Sequence, residues 1–290
     1  MHAERADRRA GSAPWVSYAQ NSEDVFLRRC FHDIERGFWI DVGAWMPRGD
    51  SVTYALSERG WCGINIEPVP DHLAAFVEQR PRDINLGVLA GSAAGERTLH
   101  RVADTGLSTT IEAFAEEARR DGHAVESSTI EVRTLDTIWD EHVPAGTAVH
   151  LLKVDAEGAE ADVLAGLDLR RRRPWLLCIE ANLPNESDLV DVSWEPAVMA
   201  AGYAFVYYDG LNRWFVADEH PELARHFTSP VSVFDDIIGA RANDHIEMLA
   251  AEAHRLAGEV ARLEQELREC ESSAAGIAVS RRGWRSLFGR

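Results

Sequence analysis

The stretch "LLKVDAEGAE" (residues 151–160) sets Lys153, Asp155 and Glu157 two residues apart in an apolar run. Alternate residues of a strand point to one face, so Lys153 and Asp155 share a side near the strand's carboxyl end. Burial can tune a lysine to act as a base, whereas arginine keeps its proton. Lys153 is the lone lysine among 30 basic residues. That usage marks Lys153, with Asp155 and Glu157, as the candidate catalytic set; a purely structural pairing with a carboxylate is the alternative for the lysine. The next apolar run, "PWLLCIEANLPN", ends in Glu180 and Asn182. Asp155, Glu180 and Asn182 thus offer oxygen ligands for Mg²⁺, the alternative being a metal-free site where they bond hydroxyl groups. His150 falls at the wrong end of its strand for this site, and His100 and His123 are the histidines placed where they could cover it.

A second constellation lies in "GFWIDVGAWMPRGDSVTYALSERGWCGINIEP" (residues 37–68). Asp41, Gly43 and Ala44 close one predicted strand and Glu67 closes the next. A carboxylate at the second strand end suits a ribose diol, and glycine at position 43 permits close backbone approach. Trp45, Met46 and Pro47 stand where a diphosphate-binding turn would carry glycines. A phosphate-free adenosyl ligand with cationic groups fits better, because an acid such as Asp41 attracts it. S-adenosylmethionine meets those terms, and a nicotinamide dinucleotide does not.

The elements needed to position these groups are readable from apolar periodicity. Strands are expected at 38–42, 62–67 and 84–90, helices at 50–59 and 70–79, then a mixed region with strands in "ERTLHRVAD" and "STIEVRTL" around a helix at 111–121. Alternation resumes with "AVHLLKVDAEG", a helix in "EADVLAGL", "PWLLCIEAN" and a helix near "SWEPAVMAAG". Continuous apolar strands between helices imply a parallel α/β sheet covered on both faces. "YAFVYYD" and "RWFVAD" are joined too tightly for a crossover, so they must be antiparallel. A Rossmann-like, seven-stranded, mostly parallel sheet with a terminal antiparallel hairpin, the class I methyltransferase arrangement, is the expected fold.

Residues 1–14 form a charged tail without the apolar core of a signal peptide, and 15–240 the folded domain. Within 245–272, Ile246, Leu249, Ala253, Leu256, Val260, Leu263, Leu267 and Cys270 alternate three and four apart, a coiled-coil seam that suggests a homodimer through 245–270, the alternative being a helix packed on its own domain. The arginine-rich end, 273–290, suits contact with a membrane surface or a partner, or is an idle basic tail. A net charge of −18 argues against nucleic acid as a partner. Cys30, Cys62, Cys178 and Cys270 show no metal or redox spacing, which fits a reducing, cytoplasmic compartment, with attachment to the inner face of the membrane through the tail.

The segments "YAQNSEDV", the 37–68 stretch above, "RPRDINLGVLAG", "GLSTT", "LLKVDAEGAEADVLAGLDL", "RPWLLCIEANLPN" and "FVYYDGLNRWFVADEHPEL" resemble, in order, the FkbM family of S-adenosylmethionine-dependent methyltransferases. The resemblance runs from about residue 16 to 236. It implies O-methylation of sugars in polysaccharides, glycolipids or natural products, beside glycosyltransferase partners. It implies cofactor contacts at Gln20, Asp41, Gly43, Ala44, Glu67 and Asp155. Where the family often carries an acid for the adenine amine, this chain has "AGSA", with Ser92 nearest. Tyr18, Ser108, Thr109, Glu180, Asn182, Tyr208, Asp209, Asn212 and Arg213 are the candidate acceptor contacts, although Asp-Gly and Asn in "YYDGLNRWF" also suit a plain hairpin turn. A binding or scaffold protein of a glycan-assembly complex that keeps the sheet without catalysis is the competing reading.

Overall fold

The computed structural model describes residues 14–102, 108–182 and 192–287, with side chains described to residue 270. The chain divides into two units, one reaching Ile237 and one from Ile238 onward. The expected tail at 1–14 lies outside the described residues save for Pro14, and the side chains of the basic 273–290 segment also lie outside them.

The first unit is α/β with mixed sheets. Its large sheet holds seven strands: β1 (Phe38–Val42), β2 (Cys62–Ile66), β3 (Ile84–Leu86), β4 (Leu151–Val154), β5 (Leu176–Glu180), β6 (Tyr203–Tyr208) and β7 (Asn212–Ala217), in the order β6-β7-β5-β4-β1-β2-β3. Strands β1 to β5 pair in parallel, and β7 pairs antiparallel with both β5 and β6. After β1 the chain builds outward through β2 and β3, then returns to add β4 on the other side of β1. Strand order therefore reverses between β1 and β4, and a crevice opens beyond their carboxyl ends at such a point.

Apolar residues occupy both faces of these strands because both are covered. Ile40, Leu152, Leu177, Ile179 and Phe215 pack into one core. Their neighbours Trp39, Leu151, Leu176, Cys178 and Trp214 pack into the other, with Phe26 and Leu27 of the helix Glu23–Phe31. Trp39, Ile40, Leu152, Leu177 and Trp214 are fully buried.

The mixed region forms a second sheet of four short strands in the order Leu89–Ala90, Val125–Arg133, Gly95–Val102, Ser108–Thr109, accompanied by the helix Glu112–Arg120. The strand expected over 84–90 is thus two strands in two sheets, broken around Gly87. The helix expected over 50–59 contracts to Tyr54–Ser57, since Asp50 sits in the left-handed region at φ 56°.

The second unit is a single helix, Ala240–Leu287, of 48 residues. Among the described residues no helix is long and apolar enough to cross a membrane.

Candidate active site

A cavity of ≈ 600 Å³ opens at the carboxyl edge of the parallel strands, lined among others by Gly43 after β1, Glu67 after β2, Asp155 after β4 and Glu180 at the end of β5. Its size is that of a small-molecule site, roughly 300–1,000 Å³.

Its floor is set by a contact between two strand ends. Gly43 has φ 69°, and a Cβ there would lie 1.8 Å from the Asp155 backbone oxygen. Glycine is thus required by the neighbouring turn as well as by the conformation. Lys153 Nζ donates to the Gly43 carbonyl at 2.7 Å and lies 3.2 Å from Asp155 Oδ2 and 3.5 Å from Asp41 Oδ1. Burial disfavours the ammonium, but the charges of Asp155 and Asp41 outweigh it and raise the lysine pKa. Burial in turn raises that of Asp41, with Lys153 and Arg80 opposing. Asp41 Oδ2 accepts from Thr53 Oγ1 at 3.2 Å. Lys153 is therefore a fixed cation joining two strand ends. The expectation of a deprotonatable lysine base is corrected by the two carboxylates around it, and neither Lys153 nor Asp41 lines the cavity.

Asp155, Glu157 and Glu180 do face it, on the side opposite Glu67. Burial, then the charge of Asp155 and a hydrogen bond to it, pushes Glu180 up to about 11. Glu180 is therefore held in its protonated form beside Asp155. Burial, then Asp155 and Glu160, pushes Glu157 up to about 8. Glu157 Oε2 and Glu180 Oε2 are buried without a hydrogen-bond partner. Glu157 itself is strained, at φ 50°, and its turn is clamped from both sides. Glu160 Oε1 accepts from the N–H groups of Ala156 at 2.8 Å and Gly158 at 3.2 Å, while Thr109 Oγ1 donates to the Glu157 carbonyl at 3.1 Å. Held strain of this kind concentrates at working sites.

The expected Mg²⁺ ligands do not converge. Asn182 Nδ2 donates to the Gly210 carbonyl at 2.9 Å and its Oδ1 accepts from Tyr208 OH at 2.8 Å, so its amide is committed to the hairpin. The carboxyl groups of Asp155 and Glu180 bond each other instead of a shared cation. Among the described residues no group of three or more His, Cys, Asp or Glu side chains could hold a metal ion.

Across the cavity, Glu67 is buried and held by backbone. Its Oε2 accepts from the Trp45 N–H at 2.8 Å and its Oε1 from the Val69 N–H at 2.9 Å. His72 Nδ1 also lies 3.4 Å from Oε1, so Oε2 is the oxygen that retains a lone pair for a ligand. Val69, Val88, Leu89, Leu99 and Val163 supply apolar wall. This is a slot for a flat, partly apolar ligand with a polar edge and positive charge.

A family model, the methyltransferase FkbM domain, matches residues 41–215. The chain belongs to the FkbM methyltransferase family. No curated protein and no solved structure matches it. The matched span begins at Asp41 and reaches Phe215 in β7, so it holds both strand ends that Lys153 ties together.

In this FkbM-family chain the sequence candidates separate cleanly. Gln20, Gly43, Glu67, Ser108, Asp155, Glu157 and Glu180 line the cavity. Ala44 is buried, and its N–H donates to the Ile66 carbonyl at 3.2 Å. Ser92 is exposed and turned onto Asp162, to which its Oγ donates at 2.5 Å, and it is not in the cavity lining. Thr109 is buried in the tie to Glu157, and its neighbour Thr110 lines the cavity instead. Tyr18 packs edge-on against Tyr54, with ring centroids 4.6 Å apart.

The hairpin residues serve their own turn. Asp209 Oδ1 accepts from Asn21 Nδ2, Leu211 N–H and Asn212 N–H, and Oδ2 from Trp214 Nε1 at 2.7 Å. Asn212 Nδ2 donates to Glu23 Oε1 at 2.9 Å. Arg213 pairs with Glu195 at 2.8 Å and lies over the Phe205 ring. None of Tyr18, Tyr208, Asp209, Asn212 and Arg213 is in the lining, where Leu211 represents the hairpin. Of the two weighed histidines, His100 is committed to Ser127 and Glu112, whereas His123 faces the cavity. Trp45, His72 and Arg97 also line it and were not singled out. Trp45 was visible in the sequence only as an obstacle to diphosphate binding, and it carries φ 51°.

Proposed function

We propose that this protein is an S-adenosylmethionine-dependent O-methyltransferase of the class I fold, acting on a sugar hydroxyl of a glycan, glycolipid or glycosylated natural product. The observation that carries the reading is the pairing, across one cavity, of a backbone-held Glu67 with the carboxyl cluster Asp155, Glu157 and Glu180. The first suits a ribose diol beside an apolar slot, and the second suits positive charge and a hydroxyl proton. No glycine-rich cradle for a diphosphate accompanies them in the turn after Gly43.

S-adenosylmethionine, when bound, supplies a methyl group on a cationic sulfonium that a hydroxyl oxygen displaces. Glu67 holds the ribose, the Val88 and Leu99 side takes the adenine, and the Gly43–Asp155 floor borders the charged tail. Glu157 accepts the acceptor's hydroxyl proton: its raised pKa makes it a stronger base than an ordinary carboxylate, and a cation in the cavity favours its ionised form. Protonated Glu180 donates and Asp155 accepts hydrogen bonds that orient the acceptor. Gln20, Ser108, Thr110 and His123 line the same cavity as further acceptor contacts.

Titration calorimetry with S-adenosylmethionine, its demethylated product and NAD tests the reading. Binding of the first two and not of NAD is expected; failure of both adenosyl ligands to bind removes it. Mass spectrometry of surface glycans from cells with and without the gene then identifies the methylated hydroxyl.

A further inference from the structure

Among the described residues, the helix Ala240–Leu287 carries a seam of exposed apolar side chains. Ile246, Leu249, Leu256, Val260, Leu263 and Leu267 are 46–59 % exposed. Their three-and-four spacing is that of the a and d positions of a heptad repeat, with Ile246, Ala253, Val260 and Leu267 at a and Leu249, Leu256 and Leu263 at d.

The flanking positions say what can cover such a seam, because they meet the partner's flanks across it. On one side stand His245, formally neutral at pH 7, and Glu252, Glu259 and Glu266, and on the other Ala250, Ala257 and Glu264. A parallel second copy would set Glu259 of one helix against Glu264 of the other. An antiparallel one would set the Glu252–Glu259–Glu266 row against itself. Neither arrangement yields one attractive pair from these positions, and like charges there oppose association. The arginines sit one step further out and turn back to their own helix. Arg255 bonds Glu252 at 2.7 Å and Glu259 at 3.3 Å, and Arg262 bonds Glu266 at 2.9 Å. Exposed pairs of this kind are weak, so the glutamates stay available to a better-placed cation. Two whole chains of net charge −18 also repel. An anionic lipid surface is disfavoured by the same acids, since helices lying on membranes carry Lys and Arg beside the apolar face.

We propose that this seam docks a helix of another protein with an apolar heptad stripe flanked by Lys or Arg. The homodimer expected from the seam's periodicity is disfavoured by its flanks.

The test uses the full chain and two synthetic four-heptad peptides with Ile at a and Leu at d, one with Lys and one with Glu at every e and g position. Sedimentation at about 10 µM in roughly 0.15 M salt should show a monomer. Fluorescence anisotropy should show the Lys peptide binding at least ~10-fold tighter than the Glu peptide, an advantage that shrinks as salt rises. Val260→Asp should abolish binding of the Lys peptide. The Glu252→Lys, Glu259→Lys, Glu264→Lys, Glu266→Lys variant, which leaves the seam intact, should reverse the preference. A stable dimer that Val260→Asp dissociates, equal binding of both peptides, binding of neither, or co-sedimentation with anionic phosphatidylserine vesicles each overturns the proposal.

Discussion

Lys153 Nζ reaches the carbonyl of Gly43 at 2.7 Å, joining the ends of two adjacent parallel strands at the point where strand order reverses. Buried Asp41 stands 3.5 Å from the same ammonium. Lys153→Met leaves that carboxylate without its cation, and breaking a buried pair in this way costs ~3–5 kcal/mol. Denaturant unfolding should therefore show a large loss of stability. The double variant with Asp41→Asn should recover part of it. Lys153→Met with unaltered stability would mean that the lysine's charge is not structural.

Glu157 binds its proton up to about pH 8 in the folded chain, against 4.5 for an ordinary glutamate. Between those values the native state retains a proton that the unfolded chain has released. Stability supplied by this group is therefore full below 4.5 and is lost as pH rises toward 8. Glu180, pushed to about 11, extends the decline to higher pH. Glu157→Gln should flatten the curve of stability against pH between 4.5 and about 8, and Glu180→Gln across the whole span from 4.5 to about 11.

The same Glu157 gives an opposite trend in rate. Methyl transfer should rise with pH as the carboxylate ionises, and Glu157→Gln should slow turnover by about 10²–10⁴-fold while leaving S-adenosylmethionine affinity within a few-fold. Steady-state rates across pH, paired with calorimetry, check both halves.

Gly43→Ala should be damaging beyond its size. The left-handed backbone costs a β-carbon roughly 1–2 kcal/mol, and the carbonyl of Asp155 occupies the place of the added methyl. The floor of the cavity must shift, so adenosyl binding measured by calorimetry should weaken by at least ~10-fold.

Asp209→Ala separates a turn from a binding surface. Its carboxylate satisfies donors from Asn21, Leu211, Asn212 and Trp214. Losing it should cost about 2–4 kcal/mol in unfolding, with KM for the acceptor little changed in the protein that remains folded.

Strands β1, β2, β4 and β5 were legible because apolar runs such as "LLCI" between helical segments have no other economical burial. The pairing of β6 with β7 was legible from the short link alone. The acids at the strand ends were legible too, since strand direction fixes which end of each run meets the crevice. What was not legible depended on distant neighbours. Whether Lys153 is a base or a fixed cation is decided by Asp155 beside it together with Asp41 and the Gly43 carbonyl, both far away in sequence. Asp209, Asn212 and Tyr208 have the composition of a sugar site, yet a turn satisfying its own donors uses the same residue types. Thr110 and His123 reach the cavity through the pairing of Gly95–Val102 with Val125–Arg133, a register that local pattern does not specify.

The small sheet enters the chain as one continuous insertion between β3 and β4, and Leu99, Ser108, Thr110 and His123 on it all look into the cavity. Glu67, Gly43 and Asp155 come from the large sheet's own strand ends. On the proposed reading, a lineage can exchange what is methylated by rewriting this segment around Ser108, Thr110 and His123, while Leu99 in the same segment must keep its place beside the adenine. The hydroxyl bridge from Thr109 to the Glu157 carbonyl is the point at which such rewriting would first be felt by the reacting groups.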